Sequence, residues 1–386
     1  MKLQKLSVQD VRGFLATYGV ITLLFAASAY ATLINWPHFA QDSRYYYAMA
    51  LHFGGHSEAE SRALLETLMT QLGVHGDVPD VSKLFHWGLV EPRVLLPLLA
   101  VPFVAIAGYQ GFLLLQVLIT YVLVILLFTF VSKSYGRAAG FVVALLYICS
   151  HYIMYFSMSL LTEPLTMLLT LLLLFAARSY LSSGRSRTLL WVGGVVLLLA
   201  FTRQATFVAA LAFVCAWLGS LIFRRDSKKW GMLALVVGGV ALCVQVLQSI
   251  LFPFSQLNEF LKATKSSNLF EAILNSPALA VHIFSKDFQT LMKGDLVLVA
   301  IILMSFASVF LFWRRPESHM AVGAFAGAIL YNVTNGTTTQ FRYSLPALDF
   351  YLLVIAVLVA SFSVRDKNTR ITFEGLEIPI DAIRKS

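Results

Sequence analysis

The sequence predicts an all-α, polytopic membrane protein of about ten transmembrane helices, with amphipathic juxtamembrane helices in its first outer loop. Three observations predict it. Of 386 residues, 58% are hydrophobic and only 13% charged, with a mean hydropathy of +0.76. A soluble domain of that size could not hide so much apolar side chain. The apolar residues fall into runs close to the roughly 20 needed to cross a bilayer. The basic residues collect in alternate connecting loops. Together these exclude a water-soluble enzyme, a disordered chain and a disulfide scaffold. Cys149, Cys215 and Cys243 sit in apolar runs without pairing or metal-ligand spacing, and read as small core residues.

The spans follow in order. The first, 14–35, is preceded by Lys2, Lys5 and Arg12 and contains a small-residue stretch at 27–31. At about 22 apolar residues it is long for a signal-peptide core, so an uncleaved span is expected. A long loop, 36–92, has helical patterning over 58–72. The stretch 93–108 is apolar but carries Pro97, Pro102 and Gly108. It reads as a juxtamembrane or re-entrant helix before a crossing at 111–131, or as one arm of a single broken helix over 93–131. Further spans are expected at 138–157, 164–181, 188–202, 205–223, 231–252, 295–313, 319–334 and 344–363. Gly193-Gly194 in the short span 188–202 predicts close packing on a neighbour. A second long loop, 253–294, alternates apolar and polar residues at helical spacing and should lie on the outer leaflet. Residues 1–363 then form one membrane domain, and 364–386 a short cytoplasmic tail.

With the N-terminus inside, the inner loops hold 19 of the 29 Lys and Arg residues, whereas 36–92 is acidic. This places the protein in the cell inner (plasma) membrane, both termini cytoplasmic and the long loops outside. The net charge of +9 is thus an orientation signal, not a nucleic-acid footprint.

Charges near membrane depth are costly and mark functional candidates. Asp42, in Gln41-Asp42-Ser43-Arg44-Tyr45-Tyr46-Tyr47, reads as a helix cap beside belt tyrosines. The alternative is a general base, its pKa raised at the membrane surface, with Tyr45, Tyr46 and Tyr47 stacking on a sugar. In Glu91-Pro92-Arg93, Arg93 offers a planar fork to phosphate, or snorkels to headgroups. In Thr162-Glu163-Pro164, either of the first two residues could cap the helix that Pro164 begins, and Glu163 could instead be a second carboxylate. Arg203 is a lone charge between apolar runs, needing Glu163, a ligand phosphate or a lipid headgroup. Arg342-Tyr343 repeats the pattern of a cation beside an aromatic. If Asp42 and Glu163 share a site, they must lie within about 15 Å.

Other signals are weaker. His52, His56, His75 and His86 lack metal spacing, and His151 in an apolar helix reads as a core histidine. Asn332-Val333-Thr334 and Asn335-Gly336-Thr337 match the glycosylation pattern.

The chain resembles the GT-C superfamily of membrane glycosyltransferases, most closely bacterial relatives of the protein mannosyltransferase and aminoarabinose transferase group. The similar features are Asp42 with Tyr45, Tyr46 and Tyr47 early in a long first loop, Arg93-Val94-Leu95-Leu96-Pro97, Thr162-Glu163-Pro164-Leu165 after an aromatic segment, Phe201-Thr202-Arg203, and Arg342-Tyr343-Ser344-Leu345-Pro346. They are spread over most of 14–363. The resemblance implies an inverting, polyprenyl-phosphate-sugar-dependent hexosyl- or pentosyltransferase of cell-envelope glycan biosynthesis. It implies Asp42 as base. Glu163 stands where many relatives have Asp, and Glu91-Pro92-Arg93 replaces a Lys-Pro-Pro-Leu-type motif, so no specific sugar carries over.

The expected function is sugar transfer from a polyprenyl-phosphate donor to an extracytoplasmic glycan, lipid or protein acceptor. Asp42 and Glu163 are the catalytic candidates, with Glu163 orienting an acceptor or an arginine. Arg203, Arg342 and Arg93 would hold the donor phosphate, and Tyr45, Tyr46, Glu91 and Tyr343 the substrate. The sequence names no cofactor, and a divalent cation is compatible. A lipid-linked glycan flippase and a non-catalytic accessory membrane subunit are the alternatives. Membrane lipids are the expected surroundings, and no nucleic acid is a partner.

Overall fold

The computed structural model describes residues 8–252, 256–336, 338–363, 371–373 and 376–378. Apart from a short hairpin, β1 (Ile371–Phe373) with β2 (Leu376–Ile378), the described elements are helical. Lys2, Lys5 and most of the expected tail lie outside the described residues.

Each expected apolar segment is helical. The chain opens with α1 (Val8–Asn35) and continues through α2 (Ser43–Phe53), α3 (Glu58–Gln71) and α4 (Val81–Phe85) in the first long loop. Ser57 and Glu60 close a capping box on α3, which explains its sharp start. Next come α5 (Leu95–Tyr135), α6 (Arg137–Cys149), α7 (His151–Met158), α8 (Glu163–Ser183), α9 (Ser186–Ala200), α10 (Thr206–Ile222) and α11 (Ser227–Leu251). The second long loop holds α12 (Gln256–Thr264) and α13 (Leu269–Gly294). Then follow α14 (Leu296–Leu311), α15 (Pro316–Asn335), a 3-10 turn (Arg342–Ala347) and α16 (Leu348–Ser363).

Five helical segments are long and apolar enough to cross a membrane: 13–35, α5, α8, α11 and the continuous stretch 342–362. The α6–α7 pair would add a sixth. At 15, 17 and 16 residues, α9, α10 and α14 are shorter. Fifteen residues at 1.5 Å each reach about 22 Å, short of a core about 30 Å thick. The outward faces are oily: Ile106 is 86% and Phe310 77% exposed, as suits helices associated with lipid.

Three elements differ from the sequence expectation. The span expected at 138–157 breaks at Ser150, and α6 and α7 meet at 70°. Asp295 explains the break, accepting from Ser150 Oγ at 2.6 Å and Tyr152 N at 2.8 Å. The stretch 93–131 is not one gently broken helix: Ala107 and Gly108 (φ +54°) leave helical geometry. The chain then folds back so tightly that a Cβ on Gly111 would lie 1.9 Å from the Phe103 carbonyl oxygen. Arg93 meets α2 through Tyr46, and Tyr109 lies against Tyr47 and Phe39. The arm 95–106 therefore packs beside α2, set apart from the rest of α5 by the break at 107–108. Third, α2 departs from the expected belt of tyrosines. Eight of its eleven residues are buried, so its tyrosines are core, not an interfacial belt.

The bundle has two chemically different ends. One joins the loops after α5, α8, α10 and α14: Tyr135 donates to Glu317, Lys229 to the Leu181 carbonyl at 2.8 Å, and Arg225 to the Arg314 carbonyl at 3.3 Å. The other gathers the end of α1, the starts of α2, α5 and α8, the end of α9 and the 3-10 turn.

The helix contact that most constrains this second end is α15 on α10. Gly323 and Gly327 let the backbones touch: a Cβ on Gly327 would sit 2.7 Å from Val208 Cα, and one on Gly323 2.2 Å from the Leu211 carbonyl oxygen. This small-xxx-small stripe was not singled out in the sequence. Tyr331 lies one turn beyond it. Gly327→Val is expected to destabilise the protein by about 1–3 kcal/mol, the usual cost of overpacking. Thermal unfolding in detergent checks this, and an unchanged midpoint would contradict the close approach.

A cluster of buried arginines and carboxylates

Arg342 is the hub of the site. Its Nη2 lies 2.8 Å from Asp42 Oδ2, and its Nε donates to Glu163 Oε1. Arg203 Nη1 donates to the same Glu163 oxygen. One guanidinium thus touches both carboxylates, well inside the limit of about 15 Å for a shared site. Local structure explains the placement. Asp42 stands at the N-cap position of α2 but makes no side-chain capping bond, and Thr162 makes none on α8. The capping readings are therefore set aside: Asp42 and Glu163 turn away from their own helix ends toward arginines.

The snorkelling and headgroup readings fail on burial. Arg203 and Glu163 have fully buried side chains, and Arg93 is 5% exposed. Arg203 Nε donates to Tyr331 Oη at 2.8 Å, and its guanidinium lies 5.0 Å from the Tyr343 ring centroid and 5.4 Å from that of Tyr331. Arg342 lies 5.9 Å from the Tyr343 ring. Arg93 Nη1 donates to Tyr46 Oη at 3.0 Å. Aromatic faces stabilise guanidinium groups that water does not reach.

Asp42 is the most accessible carboxylate of the cluster, its side chain 26% exposed. Burial pushes its pKa up, but Arg342, then Arg93 and Arg203, outweigh that and hold it below the ordinary value of 3.8. This corrects the expected upward shift: three cations, not the lipid surface, set its electrostatics.

Among the described residues, Arg203 Nη2, Arg93 Nε and Glu163 Oε2 are buried without a hydrogen-bond partner. Unpaired buried donors are costly, so two cationic ones in one cluster mark a place suited to an anion. A divalent cation fits poorly, since Asp42 is surrounded by guanidinium groups. Among the described residues no three His, Cys, Asp or Glu come together as a metal-ligand set.

Two expected residues lie elsewhere. Tyr45 packs on Trp87 at 5.4 Å, under Arg44. Glu91 faces His86, which also pairs with Glu58 at 3.1 Å, in a surface network. His151 is no satisfied core histidine: its Nε2 is buried without a partner, and its ring packs on Trp36 at 4.3 Å. Asn332 is buried and donates to Ser344 Oγ at 3.1 Å, so it is not presented for glycosylation. Thr337 of the second such pattern lies outside the described residues.

Two residues were missed. Tyr331 carried no charge signal, and the glycine stripe before it was the clue. Asp287 on α13 accepts the backbone N–H groups of Thr339, Gln340 and Phe341, each at 3.0 Å. It clamps the turn that delivers Arg342, where Gln340 (φ +55°) and Phe341 (φ +69°) adopt left-handed backbone that non-glycine residues rarely take. Nothing local in the sequence marks that pairing.

No protein-family model matches the chain, and no curated protein matches it significantly.

Proposed function

We propose that the protein is a multi-pass membrane glycosyltransferase of the GT-C type, with about ten crossings. On this reading both termini are cytoplasmic and the cluster faces outward, because the basic loops gather at the opposite end of the bundle. It moves a sugar from a polyprenyl-phosphate donor to an extracytoplasmic acceptor.

The observation that carries the reading is the charge balance of the buried cluster. Three guanidinium groups, Arg93, Arg203 and Arg342, face two carboxylates, Asp42 and Glu163. One positive charge is left over, and two cationic donors are unpartnered. A sugar linked to a lipid phosphate is a phosphodiester with a single negative charge, so it matches that surplus. In the reaction the acceptor hydroxyl oxygen attacks the anomeric carbon opposite the phosphate. The carbon–oxygen bond to phosphate breaks, its electron pair stays on the phosphate, and Asp42 takes the hydroxyl proton. The configuration inverts. The arginines stabilise the second charge that develops on the leaving phosphate. Glu163, held by two arginines, orients them and does not act on the acceptor.

Protein reconstituted in liposomes should transfer labelled sugar from a polyprenyl monophosphate donor to an acceptor on the outer side. Movement of the donor between leaflets without any transfer would favour the flippase reading. Neither activity would favour an accessory subunit.

The pH dependence has a definite sign. A base must be deprotonated, and the cations lower the Asp42 pKa. The acid limb of kcat/KM, which reports free enzyme, is therefore expected below about pH 4. Donor phosphate would draw Arg342 away from Asp42, so the limb in kcat should lie higher. A limb in kcat/KM near neutrality would contradict the assignment.

A further inference from the structure

A cleft of about 560 Å³ is lined by Arg342 together with residues of α7, α13 and the turn before Arg342. Its size is in the range of small-molecule sites. Part of its lining is aromatic, Tyr155 and Phe156 of α7, and part is polar, Thr290 of α13 with Thr339 and Gln340 of the clamped turn. That pairing suits a carbohydrate, whose C–H faces pack on rings while its hydroxyls bond to side-chain oxygens and amides.

The cleft also carries cationic side chains. Lys286 lines it beside His282, and Arg342, already shared with Asp42 and Glu163, is part of the lining. The one acid in the lining, Asp287, is 3% exposed, and its carboxylate is occupied by three backbone N–H groups. Among the described residues Lys286 makes no ion pair, and its side chain is exposed in the cleft. The arrangement therefore offers an ammonium group without an ion pair in a cleft lined by aromatic and polar side chains, with Arg342 of the arginine–carboxylate cluster in the same lining.

We infer that this cleft is the acceptor subsite, and that the acceptor is a carbohydrate bearing an acidic group, which Lys286 binds. The inference rests on the proposed function for the word acceptor, but the binding site stands on its own geometry. It was not visible in the sequence, where α13 read only as an amphipathic surface helix.

The test is binding to the full-length protein in nanodiscs of neutral phosphatidylcholine. The probes are a glucuronate-containing hyaluronan tetrasaccharide and neutral chitotetraose. The acidic probe should bind about tenfold more tightly, the worth of one charge-assisted hydrogen bond. Lys286→Gln should remove most of that preference, while Thr290→Val should weaken both probes alike. Equal binding of the two probes, no binding of either, or a preference unchanged in Lys286→Gln would overturn the inference. Release of polyprenyl phosphate from donor is measured on the same preparations. Donor turnover without acidic preference sinks the subsite alone. Acidic preference without donor turnover keeps the binding site and sinks the glycosyltransferase reading.

Discussion

Asp42→Asn is expected to lower kcat for sugar transfer by about 10²–10⁴-fold, the usual contribution of a positioned general base. Asparagine is nearly isosteric but cannot take the acceptor proton. The side chain is partly exposed and makes no capping bond, so α2 should not depend on it. Arg342 keeps its bond to Glu163 in the variant and loses only the pairing to Asp42. Donor affinity should therefore hold or rise, because the guanidinium no longer divides itself between a carboxylate and a phosphate. Single-turnover transfer of labelled sugar, with donor binding measured in parallel, separates the two effects. Wild-type transfer by the variant would sink the base assignment. Loss of donor binding with loss of transfer would make Asp42 an organiser of the arginines instead.

The second large effect concerns stability. Glu163→Ala leaves Arg203 fully buried and Arg342 nearly so, with the carboxylate they share removed. Stranding a buried charge costs about 3–5 kcal/mol. Thermal unfolding in detergent should show a large fall in midpoint. Glu163→Gln keeps an acceptor oxygen and should lose less. Pairing Glu163→Ala with Arg203→Met should recover part of the loss, since the stranded charge goes as well. If Glu163→Ala unfolds like the wild type, the ion-pair account of the cluster is wrong. The two predictions assign opposite characters to two acids that looked alike in sequence: Asp42 matters for turnover, Glu163 for the integrity of the cation cluster.

Much of this protein was legible locally. The expected apolar segments are helical, 138–157 as a broken pair, because a long apolar run has few other ways to satisfy its backbone in an oily environment. The lone charges were legible too. Glu163 and Arg203 stood out against apolar neighbours, and both are buried in one cluster. The tyrosines were less so. Tyr46 and Tyr343 belong to the cluster whereas Tyr45 does not, although Tyr45 and Tyr46 are adjacent in the chain. On a helix, adjacent residues point about 100° apart, and both rings are buried, so the sequence could not say which of the two reaches the cluster.

By itself, then, the sequence determined the membrane character, the helical segments and a short list of costly charges. Hydropathy and the price of a lone charge depend only on nearby residues. Tertiary structure decided who partners whom. Glu163 meets Arg203 across 40 residues and Arg342 across 179. Asp287 clamps a turn more than 50 residues away. It also decided that the arm 95–106 folds back on the rest of α5, where Ala107 and Gly108 leave helical geometry and bring Phe103 against Gly111. Pairings of this kind depend on how the helices pack, and no window along the chain contains that information.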